Sequence, residues 1–434
     1  MARKEDAEDT RPDVAQAESL YEIGEPEYRT IPLTDKLTWL VHRIDKFVQG
    51  GIYLLAGHPG IGKSTLALQI ALDVGAQGIK TLYILNEQSK EDLSKRARML
   101  SAKSPKEIAN TARKMIMPED AVYDISNLPE FLSHKVLSPN GKYHGAGLIV
   151  LDSVQGQGLS SSATTKYKEL YAFCRACKSA NITVLLISHV TKAGEIAGPK
   201  GMEHNVDTVM LMRKAMVYRP MFIPKNRFGP SVFKPIPLLM DKDTTELRES
   251  PHTESTAAVA RTYIGRTGGI AEAQAIVSLP AYGGKGKITA PNLPRKEIEQ
   301  LINCISQLPE LDIDDLDYSI HCRIPEERIY RSILGLPLAM SLIASYIQRT
   351  IPQYHIYLGE IDLLRQVREL PEQLIMDLAA DIDAGNIQKP VAVFCPSRAA
   401  QALRELGVEA TVIECSTLDD AVFKTWPDLR EESE

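Results

Sequence analysis

A glycine-rich segment between an apolar run and an apolar helical pattern limits the possible folds of this 434-residue chain more than any other feature. Residues 57–64 fit the pattern G-x-x-x-x-G-K-[ST], directly after a predicted strand and at the start of a predicted helix. The glycines let backbone N–H groups turn toward phosphate oxygens, and the helix N-terminus adds the positive end of its dipole. The segment therefore predicts a nucleotide-binding loop. The residues predicted to bind ATP are Gly57, His58, Pro59, Gly60, Ile61, Gly62, Lys63, Ser64 and Thr65.

Short apolar runs alternate with helical patterns through the first half of the chain. The runs are continuous rather than alternating, which is typical of strands buried on both faces of a parallel sheet. We predict strands at 52–56, 81–85, 148–151, 182–187 and 206–212. We predict helices at 63–74, 90–100 and 165–180. Alternation of this kind predicts an α/β domain with a mainly parallel sheet.

Two carboxylates follow predicted strands and suit ATP hydrolysis. Asp152 ends the apolar run after Gly147, and with Ser64 it is expected to hold Mg²⁺. Lys63 is expected to contact the β- and γ-phosphates. Glu87 lies just past the strand that follows the phosphate-loop helix, where it would orient or deprotonate the attacking water. ATP and Mg²⁺ are therefore the predicted cofactors.

Charge divides the chain into four parts. Residues 1–30 carry a net charge of −5 and residues 417–434 carry −4, and we predict both to be disordered acidic tails. The predicted ATPase domain, 31–255, carries +8, whereas a predicted second domain, 256–416, carries −5. The formal total of −6 thus hides a basic first half that is compatible with an anionic partner.

The N-terminus predicts no targeting signal, and no run of about 18 apolar residues predicts a membrane span. We therefore expect a cytoplasmic protein with no membrane partner. Among six cysteines, only Cys174 and Cys177 lie close in sequence. Both fall on one face of a helical pattern, without further ligands at metal-binding spacing, so we predict buried thiols rather than a metal site or redox pair.

Several segments resemble the bacterial RadA (Sms) family of RecA-like ring ATPases. In the first half these are ILNEQSKEDLSKRARML at 84–100, ISHVTKAGEIAGPKGMEHNVDTVMLM at 187–212 and PKNRFGP at 224–230, which contains the family's KNRFG motif. Residues 258–278 and 335–370 resemble, more weakly, the family's C-terminal Lon-protease-like domain. The resemblance implies a RecA-like core followed by an α+β Lon-like domain.

The resemblance also implies a function, since the family's motor is similar to hexameric replicative helicases. Members drive branch migration of DNA recombination intermediates, so single-stranded or branched DNA, a homohexameric ring and a recombinase or helicase partner are expected. By position, His189 would sense the nucleotide state, and Lys225 and Arg227 would reach ATP on the neighbouring subunit. A K-x-R pair on a strand points both cations the same way, and an arginine supplied in trans stabilises the charge that develops on the γ-phosphate. The residues expected to hold DNA, in loops after Asp152 and His189, are Lys166, Lys168, Lys192 and Lys200.

Three departures limit what the resemblance implies. Residues 1–50 contain no cysteine, so the four-cysteine zinc finger with which family members begin is not expected, and zinc is not a predicted cofactor. Gln88 stands where the family often has a second acidic residue, which would slow or retune hydrolysis. The Lon nucleophile position falls near Ile333, beside Ser332, and the position of the activating lysine falls at Ile375. Because a Ser-Lys dyad needs that lysine, we predict no protease activity.

Alternatives to the DNA motor remain at this point. A RecA-like ring of the KaiC type would bind proteins as a timer or signalling platform, and the acidic second domain favours this function. Lys225 and Arg227 fit two solvated cations beside a turn as well as a site in trans. The lysines near 151–200 also fit an ordinary basic surface, because six basic residues there face three acidic ones.

Overall fold

The computed structural model gives the backbone for most of the chain, with the side chains of residues 35 and 163–166 left aside. The described residues are 28–120, 127–155, 163–190, 202–251, 258–265, 269–280, 286–291, 293–308, 311–323, 334–389 and 391–431. The α-helices of this part are α1 Thr38–Ile44, α2 Lys63–Ala76, α3 Lys90–Leu100, α4 Lys106–Met115, α5 Leu128–Phe131, α6 Ala163–Ser179, α7 Arg295–Ile305, α8 Gly335–Ile347, α9 Glu372–Asp383, α10 Ser397–Glu405, α11 Leu418–Thr425 and α12 Asp428–Glu431. Short 3-10 turns lie at Asp35–Leu37 and Glu203–Asn205, and a π-helical turn lies at Leu132–Leu137.

The first half forms an eight-stranded sheet. Its strands are β1 Ile52–Gly57, β2 Lys80–Leu85, β3 Ile116–Asp120, β4 Ala146–Asp152, β5 Thr183–His189, β6 Thr208–Met212, β7 Met221–Asn226 and β8 Val232–Ile236. The strand order is β3-β2-β4-β5-β1-β6-β7-β8, and the first six are parallel. β7 and β8 are added antiparallel at one edge. This confirms the predicted α/β class with a mainly parallel sheet.

Local patterns located most of these elements. All five predicted strands and three predicted helices are present, and their ends lie within about two residues of prediction, the usual error at element ends. The patterns missed β3, β7 and β8. Each of these strands contains a proline, at Pro118, Pro224 and Pro235, and β3 and β8 are the edges of the sheet. Proline is tolerated at such positions because an edge strand need not donate every backbone N–H.

A two-stranded ribbon follows the first sheet, and the second half of the chain forms a seven-stranded sheet. The ribbon strands are β9 Leu238–Met240 and β10 Leu247–Glu249. The sheet strands are β11 Ala258–Tyr263, β12 Ile270–Ser278, β13 Ile288–Thr289, β14 Asp317–Arg323, β15 His355–Tyr357, β16 Ala392–Cys395 and β17 Thr411–Glu414. The sheet order is β13-β14-β12-β11-β15-β16-β17, with β11, β15, β16 and β17 parallel. Every residue of α8 is buried, because the helix packs against β11 and β12 of this sheet and against α7 and α11, which explains why its sequence is largely apolar on all faces.

The acidic segment 417–434 is not the free tail that its charge predicts. Its described part, up to residue 431, forms α11 and α12. Leu418, Val422, Trp426 and Leu429 are buried and recur at helical spacing. The charge count concealed this apolar face, so the prediction of a disordered tail here is wrong. Residues 1–27 lie outside the described residues.

The two halves meet beside the phosphate loop. Asp312 of the second half lies 3.2 Å through Oδ2 from Nε2 of His58 and 3.4 Å through Oδ1 from Nη1 of Arg213. Its backbone N–H donates to the carbonyl of Lys214 at 2.9 Å. Ala56 and Leu311 belong to one apolar cluster that joins the halves. None of the helices in the described ranges is long and apolar enough to cross a membrane.

Candidate functional site

The phosphate loop connects the end of β1 to the start of α2. Gly60 and Gly62 have φ values of 76° and 106°, a left-handed region in which a Cβ would be strained. A Cβ on Gly60 would meet no atom within 4 Å, so the loop is open on that side. Gly62 is the N-cap of α2 and has no side chain to offer, which leaves the first-turn N–H groups available for an anion.

Lys63 lies under this loop and donates hydrogen bonds to two of its carbonyl groups. Its buried ammonium donates to the carbonyl oxygens of Gly57 and His58, both at 2.9 Å, and lies 3.3 Å from Nδ1 of His189. Burial lowers the pKa of Lys63 below its ordinary value, although the negative charges of Asp152 and Glu87 oppose the shift. An ammonium that caps two loop carbonyls is well placed to exchange them for phosphate oxygens.

Asp152 ends β4 and is surrounded by donors. Its Oδ1 accepts from the Ser64 hydroxyl at 3.1 Å, and its Oδ2 accepts from the Tyr83 hydroxyl at 3.0 Å and from Nε2 of Gln88 at 2.9 Å. Burial raises the pKa of this carboxyl, whereas the hydrogen bonds from Ser64 and Tyr83 lower it. A hydroxyl and a carboxylate this close are the oxygen ligands that Mg²⁺ prefers. Ser64 and Asp152 therefore fit the metal predicted for them.

Gln88 has a role that the sequence did not reveal. Its amide donates to Asp152, and its Oε1 accepts from Nη1 of Arg96 at 2.9 Å. A glutamate at this position would place a second carboxylate against Asp152, whereas the amide supplies a hydrogen bond. Gln88 and Tyr83 are thus supporting partners of the Asp152 carboxylate, and no local sequence signal identifies them.

Glu87 and His189 connect the end of β2 to the phosphate loop. Nε2 of His189 lies 3.0 Å from Oε1 of Glu87, and the Ser153 hydroxyl donates to the same carboxylate. Because the Lys63 ammonium can only donate, Nδ1 of His189 accepts, so the ring proton lies on Nε2 and points at Glu87. One neutral imidazole therefore joins the loop lysine to the candidate base.

The electrostatics of Glu87 keep its carboxylate deprotonated at neutral pH. Burial acts to raise its pKa, but hydrogen bonds from Ser153 and His189, with the charge of Lys63, outweigh burial and lower it. The group is consequently an ionised carboxylate over the neutral range. Its side chain is exposed, so water can reach it.

Lys225 and Arg227 lie toward the N-terminal ends of the parallel strands, whereas the phosphate loop lies at their C-terminal ends. Lys225 is paired with Val209 near the start of β6, whereas the phosphate loop follows Gly57 at the far end of β1. Nη1 of Arg227 lies 3.1 Å from Oδ1 of Asp207. Roughly four residues of strand, about 13 Å, separate these cations from the phosphate loop. These cations are therefore remote from the ATP site of their own chain.

The lysines predicted to hold DNA have different positions. Lys168 is exposed on α6 and, with Arg175, Lys178 and Arg227, lines a cavity of about 510 Å³. Lys168 and Arg227 therefore border the same cavity. The side chain of Lys166 and the whole of Lys192 and Lys200 lie outside the described residues. Cys174 and Cys177, on the same helix, are both buried.

The chain is similar to known ATPases and repair proteins. Residues 31–247 match the family model described as "ATPase: KaiC". A DNA repair protein RadA of Campylobacter jejuni is 26% identical over 84% of this chain and 78% of its own length. A DNA repair protein RadA of Chlamydia muridarum is 30% identical over 74% of this chain and 70% of its own length. A solved structure described as an ATPase domain is 13% identical with a TM-score of 0.42, over 51% of this chain and 92% of that one, a likeness that carries no further conclusion.

The similarity to RadA proteins extends beyond the ATPase region. Residues 31–247 make up half of the chain, whereas the match to the Campylobacter relative covers 84% of it. The ATPase half alone cannot account for a match of that length. Because the second half shares in the similarity, the chain belongs to the RadA family of RecA-like ATPases.

Proposed function

We propose that this protein is a DNA-remodelling motor, driven by Mg-ATP, that acts in recombination and repair. The observation that carries the proposal is the bonded series of Lys63, His189 and Glu87, which joins a phosphate-binding group to a base. The relatives named DNA repair protein RadA support DNA as the substrate. We propose that the ATPase domain covers 31–255 and that a second domain covers 256–416.

Each group of the site has a distinct part in hydrolysis. Lys63 and the first turn of α2 bind the phosphates, and Ser64 and Asp152 would hold Mg²⁺, which neutralises charge on the phosphate oxygens. Glu87 accepts a proton from the attacking water as the water oxygen bonds to the γ-phosphorus, and the bond from the γ-phosphorus to the bridging oxygen breaks so that ADP leaves. The exposed edge of this carboxylate admits that water.

His189 is suited to report the nucleotide state. When phosphate takes the Lys63 ammonium, Nδ1 of His189 loses its donor, and the contact of Nε2 with Glu87 becomes the stronger constraint on the ring. His189 ends β5, directly before the segment 191–200 in which DNA contacts are proposed. A rotation of this ring would couple ATP binding to that segment.

The pH dependence of turnover provides a test of Glu87. In Ser153→Ala the carboxylate loses a donor, so its pKa rises toward the ordinary 4.5. Because Glu87 acts in its ionised form, we expect the acid limb of kcat to move to higher pH by roughly 0.5–1 unit. The measurement is kcat between about pH 3 and 7, so that the acid limb of the wild type is included. Ser94→Ala, which removes an exposed serine on α3, is the control, and equal limbs in both variants would contradict the assignment.

We propose further that Lys225 and Arg227 complete the ATP site of a neighbouring subunit. These cations lie at the end of the strands opposite the phosphate loop. This position prevents them from acting on ATP bound to the same chain and suits action in trans. Such an interface is head-to-tail, so repetition closes a ring or extends a filament. The family resemblance supports a hexameric ring.

DNA is proposed to contact two segments that leave the same edge of the sheet. Strands β4 and β5 are parallel neighbours, so the chain leaves them side by side at residues 153 and 190, and the residues that follow, 156–162 and 191–201, lie outside the described ranges. The proposed contacts in or beside these segments are Lys166, Lys192 and Lys200, whereas Lys168, predicted as a fourth, borders the cavity of Arg227. The net charge of +8 over 31–255 favours phosphate contacts without readout of bases.

The DNA proposal predicts an ATPase that responds to single strands. We expect ssDNA to raise kcat several-fold in the wild type and about 3-fold less in Lys192→Ala, because a phosphate contact is lost. Lys63→Ala should abolish turnover with or without DNA. Lys106→Ala, which removes an exposed lysine on α4, is the control for charge alone. Rings that bind ATP but respond to DNA in neither binding nor turnover would contradict the motor and favour a KaiC-like, protein-binding timer.

We infer that the second half does not cleave peptides. The position matched to the activating lysine of Lon proteases is Ile375, which is buried on α9. The matched nucleophile position, near Ser332 and Ile333, lies outside the described residues. Without a lysine to remove its proton, a serine there is a poor nucleophile. The second half is therefore proposed to be a Lon-like, non-proteolytic scaffold.

A further inference from the structure

Asp207, directly before β6, has a buried carboxylate that holds three partners. Its side chain is 2% exposed. Oδ2 accepts from the backbone N–H of Ile52 at 3.0 Å, which fixes the carboxylate to the start of β1. Both oxygens accept from Nζ of Lys178 at 2.8 Å, and Oδ1 accepts from Nη1 of Arg227 at 3.1 Å. One buried negative charge therefore joins two cations from different elements.

The cations on Asp207 face outward. The side chains of Lys178 and Arg227 are 51% and 56% exposed, and both line the 510 Å³ cavity described above. A guanidinium has five N–H donors. Arg227 uses Nη1 for Asp207 and Nη2 for the carbonyl of His204 at 3.5 Å, which leaves other donors for phosphate oxygens. Asp207 thus fixes the inner side of each cation and leaves the outer side to a ligand.

Lys225 extends the same basic surface. Its ammonium donates to the carbonyl oxygens of Glu203 and His204, at 2.6 and 3.1 Å, in the turn that leads to Asp207. Burial and the neighbouring guanidinium of Arg227 lower the pKa of Lys225. Three crowded cations repel one another, and the negative charge of Asp207 offsets part of that repulsion.

We propose that Asp207 is a positioning residue for the site in trans, and that it makes Lys178 a third cation of that site beside Lys225 and Arg227. The ligand is the triphosphate of the ATP held by a second copy of this chain. The proposal rests on the proposed action of Arg227 on a neighbour's ATP. A cation fixed before the reaction stabilises developing phosphate charge without the cost of reorganisation.

Asp207→Asn tests this role. Asparagine keeps the size and still accepts from Ile52, but it lacks the charge that holds Lys178 and Arg227. We expect kcat for ATP hydrolysis to fall about 10-fold, which corresponds to one hydrogen bond between charged groups, with KM within about twofold of wild type. Asp73→Asn, which changes a buried carboxylate bonded to Thr34, is the matched control and should leave kcat unchanged.

Mixing variants before ring assembly shows on which side of the interface Asp207 acts. Glu87→Ala rings lack the base but keep intact cations, whereas Arg227→Ala rings have the reverse defect. In a ring assembled at random from equal amounts of these two variants, about one interface in four joins an intact base on one subunit to intact cations on the next. We expect Asp207→Asn to gain activity with Glu87→Ala, to about a quarter of the wild-type rate, and to gain none with Arg227→Ala.

The outcomes separate this inference from the proposed function. Recovery of Asp207→Asn with Arg227→Ala, but not with Glu87→Ala, would place Asp207 on the base side and overturn the inference alone. If Arg227→Ala and Glu87→Ala do not restore each other, catalysis in trans is wrong and the inference is wrong with it. If Asp207→Asn does not fold, Lys178→Gln decides, because its exposed side chain tolerates substitution. The same mixing pattern, with rescue by Lys178→Arg, would support the inference, and its absence would overturn it.

Discussion

Arg227→Ala should lower kcat for ATP hydrolysis by roughly 10³-fold and leave ATP affinity within about twofold of wild type. An arginine supplied in trans stabilises charge on the γ-phosphate in the transition state, so its loss acts on the chemical step. Affinity for ATP is retained because Lys63, Ser64 and Asp152 lie at the opposite end of the strands from Arg227. The measurement combines steady-state turnover with equilibrium binding of a fluorescent ATP analogue.

A matched control and a dilution series sharpen this result. Arg248→Ala removes an arginine of similar exposure, 54%, that is bonded to Glu246 rather than Asp207, and it should leave kcat unchanged. Wild-type turnover per subunit should fall on dilution, because a separated subunit lacks its neighbour's arginine. Weaker ATP binding with normal kcat, or turnover independent of protein concentration, would contradict action in trans.

Glu87→Gln should lower kcat by roughly 10³-fold while ATP stays bound. The amide has nearly the size of the carboxylate and still accepts from Ser153, but it cannot take a proton from water. The phosphate loop and the metal pair Ser64 and Asp152 are unchanged, so nucleotide should accumulate as ATP rather than ADP. Chromatography of the nucleotide released from denatured protein measures that ratio directly.

Glu91→Gln is the control for Glu87→Gln. Glu91 lies in the first turn of α3, four residues further along the chain, and its loss should change neither kcat nor the bound nucleotide. Near-normal turnover in Glu87→Gln would show that another group receives the proton. Addition of His189→Ala would then test a titratable side chain that already contacts both Lys63 and Glu87.

The sequence alone predicted the phosphate loop and the parallel strands, and it selected Glu87 as the candidate base. These features are local: a glycine-lysine-serine pattern requires a turn, and a continuous apolar run requires burial on both faces. Asp152 and Glu87 could be chosen because the carboxyl ends of parallel strands lie at one edge of a sheet. Charge counting was less reliable, since it concealed the apolar face of Leu418, Val422 and Trp426.

Contacts between distant residues could not be predicted in this way. Gln88 and Asp152 are 64 residues apart, and Lys63 and His189 are 126 apart, yet each pair is within hydrogen-bonding distance. No local pattern specifies such pairs, because they depend on the order of the strands in the sheet. The supporting roles of Tyr83 and Gln88 therefore emerged only from the fold.

The sequence by itself determined the α/β core with its phosphate loop and supplied the candidate groups for ATP hydrolysis, because backbone periodicity and glycine turns are encoded locally. Only the tertiary structure decided where the KNRFG cations lie. Antiparallel pairing of β7 with β6 places Lys225 and Arg227 at the end of the strands opposite the phosphate loop, and the buried charge of Asp207 fixes Arg227 there. Strand register and burial are long-range properties, so they decide which ATP those cations can reach.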